Sequence, residues 1–229
     1  MEIYHAMNRG VEKRDIFLDE KDCARFVRNL YEFNDTQPAD NNSWFWNNKY
    51  GNSDIRGHYS RGGHSGRDRE KIVDIHGWCL MRNHYHLILS ERIENGLSLF
   101  LRKLNVGYAK YFNERYERSG YVFQGRTKKV HVLRDRHFLY LLHYIHLNPL
   151  DLAQEFGSWR KKTLNNVPAA LDYLDTWRWS SYLDYSGKRN FPSILDQELY
   201  SDTYTDYRND LISYLKDISH ELPESLILE

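Results

Sequence analysis

The feature that most restricts the fold is a pair of apolar runs near the middle of the chain. IVDIHGWCLM (residues 72–81) and HYHLILS (residues 84–90) are separated only by Arg82 and Asn83. Aliphatic and aromatic residues dominate both runs, and so short a connection between two strand-like segments is typical of an antiparallel hairpin. The sequence therefore predicts two neighbouring strands with a turn at residues 82–83.

The second run carries two histidines, His84 and His86, with one tyrosine between them. Residues two apart in a strand point to the same face, so both imidazoles project together, about 7 Å apart at Cα. Imidazole is the commonest protein ligand for metal ions, and two rings at this spacing can converge on one ion. The same spacing also fits two ordinary, half-exposed histidines, so a metal site requires a further ligand from elsewhere in the chain.

The rest of the chain alternates between strand-like and helical patterns. Residues 17–34 have helical periodicity with Asp19 as the predicted N-cap, and residues 96–120 predict a long amphipathic helix ended by Gly120. Pro149 is predicted to stop another helix. The remaining predictions are a strand at 2–8, an extended basic segment at 121–133, a helix at 135–148, a mostly irregular segment at 168–187 and an acidic helix at 201–222. This order has too few βαβ crossovers for a parallel sheet and predicts an α+β fold, a small antiparallel sheet with helices on one face.

Residues 35–70 interrupt this pattern with a stretch rich in Asn, Gly, Ser, Asp and Arg. Such a composition predicts a long, partly disordered insertion. Its aromatic residues, including Trp46, could stack on nucleic-acid bases or pack locally, and the sequence slightly favours local packing.

Charge is distributed unevenly along the 229 residues, although the net charge is zero. Residues 101–136 contain ten Lys and Arg against three Asp and Glu, whereas residues 195–229 contain two against nine. A basic middle beside an acidic tail suggests a face that binds a polyanion. Two solvated helix faces of opposite sign would explain the same pattern.

Several classes of protein are disfavoured by composition. No apolar run approaches the roughly 20 residues that span a membrane, and the first ten residues lack the apolar core of a signal peptide. Cys23 and Cys79 do not form a disulfide framework. We therefore expect a cytoplasmic protein without a membrane partner.

A tyrosine with a metal-ligating side chain one helical turn later would suit chemistry on a phosphodiester. Tyrosine can form covalent intermediates, and residues i and i+4 lie on the same face of a helix. Among the tyrosines, Tyr144 with Asn148 is the best pair, inside the predicted helix LLHYIHLNP. Taken alone, the pair is better explained as a core tyrosine followed by an asparagine at a helix end.

Five motifs in order resemble a known family, the single-tyrosine HUH transposases, and within it the REP-associated tyrosine transposases, also described as having an IS200-like transposase domain. They are MNRG (7–10), MRNHYHLILS (81–90), YAKYFNERYERSGYVFQGRTK (108–128), YIHLNPL (144–150) and WSSY (179–182). The resemblance covers residues 2–186 apart from the insertion, which is longer than the family pattern. Arg82 also departs from the pattern, because many relatives have proline there.

The resemblance implies a ferredoxin-like fold with the histidine motif on a central strand. It also implies a divalent metal, Mg²⁺ or Mn²⁺, held by His84, His86 and Asn148, and Tyr144 as the catalytic nucleophile. The implied activity is cleavage and strand transfer of single-stranded DNA at hairpin-associated, REP-like sites, through a 5′-phosphotyrosine. Relatives act as monomers or homodimers, and both states stay open for this chain.

The basic segment and its aromatic neighbours are the predicted DNA-binding residues. Cationic side chains would contact phosphates, Tyr121, Phe123 and Trp46 would stack on bases, and Gln124 or Arg126 would read base edges. The predicted phosphate contacts are Arg102, Lys103, Lys110, Arg115, Arg118, Arg126, Lys128 and Lys129.

Two other functions fit parts of the sequence. A domesticated relative could bind a DNA or RNA hairpin without cutting it. A zinc phosphoesterase could use His84 and His86 with Asp74 or His76, and water would then replace tyrosine as the nucleophile. For each of these functions, including the transposase, the predicted organisation is the same. One domain spans residues 1–186, and an acidic helical extension spans residues 187–229 and could cover the basic face.

Overall fold

A computed structural model describes residues 1–38, 69–133 and 136–216. Its centre is a four-stranded antiparallel sheet with strand order β2-β3-β1-β4. The strands are β1 (Ile3–Arg9), β2 (Val73–Leu80), β3 (His84–Glu91) and β4 (Lys128–Val132). Helix α1 (Glu20–Glu32) connects β1 to β2, and α2 (Gly96–Arg115) connects β3 to β4. This βαββαβ order with β1 and β3 in the middle is the ferredoxin-like arrangement, and it confirms the predicted α+β class.

Alternation along β3 separates two different faces of the sheet. Tyr85, Leu87 and Leu89 belong to an apolar core with α1 and α2, and all three are fully buried. His84 and His86 project from the opposite face, where Ile88 contributes to a second apolar core. The predicted separation of the histidines from Tyr85 is therefore present in the fold.

Helix α1 begins where its sequence predicts. The Asp19 side chain accepts hydrogen bonds from the backbone N–H groups of Lys21 and Asp22, as an N-cap does. Phe26 and Leu30 from this helix are fully buried in the first core.

Helix α2 ends at Arg115, which is earlier than the predicted end at Gly120. Glu117 has a positive φ of 49°, a left-handed conformation that a helix cannot contain. Asn113 then holds the following turn, because its side-chain amide donates to the carbonyl of Gly120.

A second layer covers the face of the sheet that carries the histidines. Helix α3 (Arg136–Leu147) ends just before Pro149, as predicted, and continues into two 3-10 helices, Asn148–Leu152 and Gln154–Lys161. The helix approaches β2 closely, since a Cβ on Gly77 would lie 2.7 Å from Leu142. The remaining helices are α4 (Val167–Thr176), α5 (Tyr182–Tyr185), α6 (Glu198–Ser201) and α7 (Tyr207–Lys216). The sequence predicted helices on one face of the sheet. The structure corrects this detail, because α1 and α2 cover one face and this second layer covers the other.

Helix α4 corrects the prediction that residues 168–187 are mostly irregular. Asn166 caps it by accepting from the N–H of Ala169, and proline occupies its first turn. Ala170, Leu171 and Leu174 recur at helical spacing and are buried in the second core. The tryptophan-rich and serine-rich residues that follow had masked this short periodic signal.

The WSSY motif (179–182) forms hydrogen bonds with both β2 and α3. Backbone hydrogen bonds join Leu80 N–H to Trp179 and Ser181 N–H to Trp78, so this segment covers the outer edge of β2. The Ser181 hydroxyl also lies 2.6 Å from Nε2 of His146 on α3. The motif therefore has a structural function in setting the position of α3 over the histidine face.

Parts of the predictions fall outside the described residues, namely most of the 35–70 insertion with Trp46 and the end of the acidic tail. Residues up to 216 pack on the second core through α7, in which Leu211 is fully buried. The division at residue 186 stays a prediction. Among the described helices, none combines the length and apolarity that crossing a membrane requires.

Candidate active site

His84 stands at the start of β3 and is held by its neighbour. Its Nδ1 lies 2.6 Å from the amide oxygen of Asn83. Because an amide oxygen only accepts, Nδ1 must carry the proton, and the lone pair of the ring is then on Nε2. The rings of His84 and His86 have centroids 4.9 Å apart.

His5 on β1 is a third histidine at the site, and the sequence analysis did not identify it. Its Nε2 lies 2.9 Å from Nδ1 of His86, and the two rings are stacked with centroids 5.1 Å apart. His86 is fully buried, and its Nε2 has no hydrogen-bond partner among the described residues. Burial is the main cause that lowers the pKa of His86 well below its ordinary value, and neighbouring histidines and arginines lower it further. The ring is therefore neutral at pH 7.

Helix α3 places Tyr144 above these rings. The Tyr144 ring centroid lies 6.0 Å from that of His86 and 6.5 Å from that of His5, in edge-to-face orientations. One turn later, Nδ2 of Asn148 donates to the backbone carbonyl of Tyr144 at 3.1 Å. Both side chains are buried. The structure therefore places Tyr144 beside the two histidine rings of the sequence prediction, and Asn148 beside the backbone of Tyr144.

Arg160, from the 3-10 helix Gln154–Lys161, joins the nucleophile candidate to the ligand candidate. Its guanidinium donates to the Asn148 amide oxygen at 2.8 Å and to the Tyr144 hydroxyl at 3.3 Å. Asp151 accepts from the same guanidinium on both carboxylate oxygens. Trp159 donates from its indole N–H to Asp151 and packs 6.0 Å from the Tyr144 ring.

The sequence analysis did not predict Arg160 as a site residue. Its contact with Tyr144 and Asn148 depends on the path of the two consecutive 3-10 helices that follow α3. A second arginine, Arg9, belongs to the MNRG motif and pairs in register with His84. By strand alternation it shares the histidine face, and its Nε is buried without a hydrogen-bond partner among the described residues. Two cationic side chains thus accompany the histidines and Tyr144.

The imidazole donors by themselves suit a borderline divalent metal better than a hard one, so Mg²⁺ or Mn²⁺ rests on the motif resemblance. Two imidazoles and one amide oxygen are the predicted ligands, and each imidazole is oriented through its other nitrogen, as ligating histidines usually are. Asn148 can accept from Arg160 and still offer its second lone pair. The part of the chain that the structure describes contains no cluster of three or more His, Cys, Asp or Glu residues arranged for a metal ion. In the predicted ligand set, the third protein ligand is Asn148.

The predicted DNA-binding residues divide into two groups. The exposed group lies partly on α2 and partly along residues 121–129, and Lys128 in it pairs with Met7, which also pairs with His86. Lys128 therefore lies on the histidine face, two strand spacings or about 10 Å from His86. The exposed members are Arg102, Lys110, Tyr121, Gln124, Arg126, Lys128 and Lys129.

The other group has structural contacts that correct the prediction. Phe123 is buried and packs against Tyr85 and Tyr108, so it offers no surface on which a base could stack. Lys103 donates to the backbone carbonyls of Asp35 and Gln37 and holds the chain after α1.

Two of the predicted arginines also have neighbours within the fold. Arg115 forms ion pairs with Asp19 and Asp22, which fix the end of α2 against the start of α1. Arg118 stacks over the Phe112 ring at 5.5 Å.

The residues of the alternative zinc site are held elsewhere. His76 lies 2.8 Å from the hydroxyl of Ser90 and 3.1 Å from the carbonyl oxygen of Asp196. Asp74 forms ion pairs with Arg92 and Lys71. Neither side chain contacts His84 or His86 in a described hydrogen bond.

Comparison with known proteins finds no matching family model and no matching curated protein. A solved structure described as "Structure of the REP associates tyrosine transposase bound to a REP hairpin" matches with a TM-score of 0.45 and 10% sequence identity. The match covers 85% of this chain and 84% of that chain. At this TM-score and identity, the likeness carries no functional conclusion for this chain.

Proposed function

We propose that the protein is a metal-dependent, single-stranded DNA nicking and strand-transfer enzyme of the HUH tyrosine type. It would act at hairpin-associated sites through a 5′-phosphotyrosine, as the motif resemblance implies. The observation that carries the proposal is the position of Tyr144 over the rings of His5 and His86, with Asn148 one helical turn later. Three separate segments of the chain contribute to this one site.

In the proposed reaction, Tyr144 Oη attacks the scissile phosphorus in line. The Oη–P bond forms while the P–O3′ bond breaks, the phenol loses its proton, and the departing oxygen becomes a 3′-hydroxyl. A 3′-hydroxyl from the same or another strand can reverse the step, which gives strand transfer without an external energy source. A bound Mg²⁺ or Mn²⁺ would supply Lewis-acid polarisation of the phosphate, with His84, His86 and Asn148 as its ligands.

DNA would approach from the exposed basic segment at the start of β4. Lys128 lies on the same face of the sheet as His86, and Arg126 is exposed two residues before it. Tyr121, which is 86% exposed, offers a ring on which a base can stack. Single-stranded DNA suits this site, because a nucleophile that is only 3% exposed needs a flexible backbone to reach it.

Covalent adduct formation tests the proposal. The protein is incubated with Mn²⁺ and a pool of labelled single-stranded DNA oligonucleotides that share one hairpin and have randomised flanks. We expect a denaturant-resistant protein–DNA band for the unmodified protein and none for Tyr144→Phe. Tyr111→Phe is the matched control, since its hydroxyl donates to Asp22 far from the histidines. A band of equal intensity for Tyr144→Phe would overturn the proposal.

A hairpin-binding protein without catalysis is the second candidate. The low exposure of Tyr144 beneath Trp159 and Arg160 favours it, because an accessible hydroxyl is needed only for cutting. The same gel separates the two functions: a pure binder shifts the mobility of hairpin DNA under native conditions and yields no band that survives denaturation.

A further inference from the structure

Arg160 occupies an unusual place between two functional candidates. One of its terminal nitrogens contacts the hydroxyl of Tyr144 at 3.3 Å, and the other contacts the amide oxygen of Asn148 at 2.8 Å. The Tyr144 contact is at the long end of hydrogen-bond distances, whereas the Asn148 contact is of ordinary length. The nitrogen near Tyr144 thus makes the longer of these two contacts.

Asp151 fixes the far side of the same guanidinium. Both of its carboxylate oxygens accept from Nε, and one of them also accepts from a terminal nitrogen. Trp159 donates to Asp151 as well, which limits rotation of the carboxylate. A guanidinium held in this way keeps its plane and its charge, and its remaining terminal nitrogen is directed at Tyr144.

We propose that Arg160 is a catalytic residue that binds a non-bridging oxygen of the phosphate attacked by Tyr144. This inference rests on the proposed function and adds a cation supplied by the protein itself. An attacked phosphorus lies about 3 Å from the nucleophilic oxygen, so its non-bridging oxygens come within reach of a donor 3.3 Å from that same oxygen. Asp151 is the positioning residue for this guanidinium.

The chemistry of phosphoryl transfer explains why such a cation is useful. Negative charge is spread over the non-bridging oxygens in the transition state, and catalysis depends mainly on positioning and charge stabilisation. A preorganised donor at the point where charge develops typically contributes on the order of 100-fold to the rate. Arg160 is partly shielded, with 29% of its side chain exposed, which strengthens this interaction relative to a fully solvated arginine.

Single-turnover adduct formation is the primary test, with the oligonucleotide pool and Mn²⁺ described above. The variants are Arg160→Ala, Arg160→Lys and Asp151→Asn, and Arg92→Ala is the control because its ion pair with Asp74 lies outside the site. We expect Arg160→Ala to slow the reaction at saturating DNA on the order of 100-fold, a larger loss than its effect on DNA affinity. Arg160→Lys and Asp151→Asn should fall between. An unchanged rate for Arg160→Ala would overturn the proposal.

A sulfur substitution separates catalysis from a purely structural role. Each non-bridging oxygen of the cleaved phosphate is replaced by sulfur in turn, in an oligonucleotide recovered from the pool. For the unmodified protein we expect one of the two isomers to react more slowly than the other at saturating Mn²⁺. In Arg160→Ala this difference between the isomers should shrink. If the difference persists undiminished, Arg160 only maintains the structure.

If the unmodified protein forms no adduct, binding of inorganic phosphate tests whether Arg160 forms an anion site. That result would remove the proposed function, but an anion site at Arg160 would still bind phosphate, measured by titration calorimetry. Binding that is at least tenfold weaker in Arg160→Ala, with an unchanged thermal midpoint, would support the anion site. Equal binding by both proteins, or none by the unmodified protein, would overturn it.

Discussion

Two of the described clusters that combine an arginine, an aspartate and a tyrosine use these side chains differently. The Asp22 cluster consists of Arg115, Asp19, Asp22, Tyr111 and Tyr116. Its centre, Asp22, is fully buried and accepts hydrogen bonds from Arg115 and from both tyrosine hydroxyls. Burial is the main cause that raises the pKa of Tyr111 to about 12, so its hydroxyl stays protonated as a donor.

The Tyr144 cluster consists of Arg160, Asp151, Tyr144 and Asn148. Here the aspartate accepts from the arginine and from the indole N–H of Trp159. The tyrosine instead faces histidine rings on one side and the guanidinium on the other. The tyrosines of the Asp22 cluster donate to a buried carboxylate and join α1 to α2, whereas Tyr144 lies between imidazoles and a guanidinium, the position on which the proposed nucleophile depends.

The largest expected effect separates the clusters by stability. Asp22→Asn removes a buried charge and leaves Arg115 and two hydroxyls poorly matched, so it should lower the free energy of unfolding by about 3–5 kcal/mol. Asp151→Asn, at a partly exposed ion pair, should cost about 1 kcal/mol or less. Urea unfolding at pH 7 measures both. Equal losses would show that the two clusters do not differ as described.

The next effect concerns the metal. If His84, His86 and Asn148 hold Mn²⁺, a concentration 100 times the dissociation constant should add about 2.7 kcal/mol to the stability of the folded state. His86→Gln should abolish this increase, whereas the exposed His131 on β4 can be changed to Gln without losing it. The free energy of unfolding with and without Mn²⁺ is the measurement. Stabilisation that survives His86→Gln would exclude His86 as a ligand.

A smaller effect concerns the pH dependence of stability in the second core, which lies beside the Tyr144 cluster. His143 on α3 is buried against tyrosines of the C-terminal helices, and burial lowers its pKa to about 3. The unfolded chain, with a histidine pKa near 6.5, then binds more protons, so stability is lost as pH falls from about 6.5 toward 3.

Between pH 7 and pH 5, His143 should account for a loss of about 2 kcal/mol. His143→Phe keeps a ring without a titrating nitrogen and should reduce the pH-dependent loss by that amount. Urea unfolding at the two pH values checks this. The same pH-dependent loss in His143→Phe would mean that the residue is not the source.

The smallest effect concerns DNA affinity and its dependence on salt. Lys128→Ala should reduce the slope of log affinity against log salt by about 0.7, the value for one phosphate contact on a single strand. Lys103→Ala should leave that slope unchanged, because Lys103 binds backbone carbonyls of the chain. Fluorescence anisotropy of a labelled hairpin oligonucleotide at several salt concentrations measures both slopes. Equal changes would mean that burial does not separate the two groups of lysines.

The fold could be predicted from sequence wherever the signal was local. Alternation in β3, the Asp19 cap of α1 and the stop at Pro149 each depend on a few neighbouring residues. The end of α2 was predicted too late because the left-handed conformation at Glu117 has no sequence signature. Helix α4 was missed because its apolar positions are few.

The residues of the candidate site could likewise be predicted only where the sequence signal was local. His84 with His86 and Tyr144 with Asn148 are pairs at fixed spacing on a strand and a helix, so the sequence could predict each pair. His5 depends on the register between β1 and β3, and that register is set by long-range pairing. Arg160 depends on the path of the chain after α3. Phe123 was assigned to DNA because its burial depends on packing against Tyr85 and Tyr108.

The most direct test of the difference between the two clusters is peptide mapping by mass spectrometry after incubation with Mn²⁺ and the hairpin oligonucleotide pool. We expect a nucleotide remnant on the peptide that contains Tyr144, and none on the peptides that contain Tyr111 and Tyr116. A remnant on a tyrosine of the Asp22 cluster, or adduct formation that does not involve Tyr144, would contradict the account.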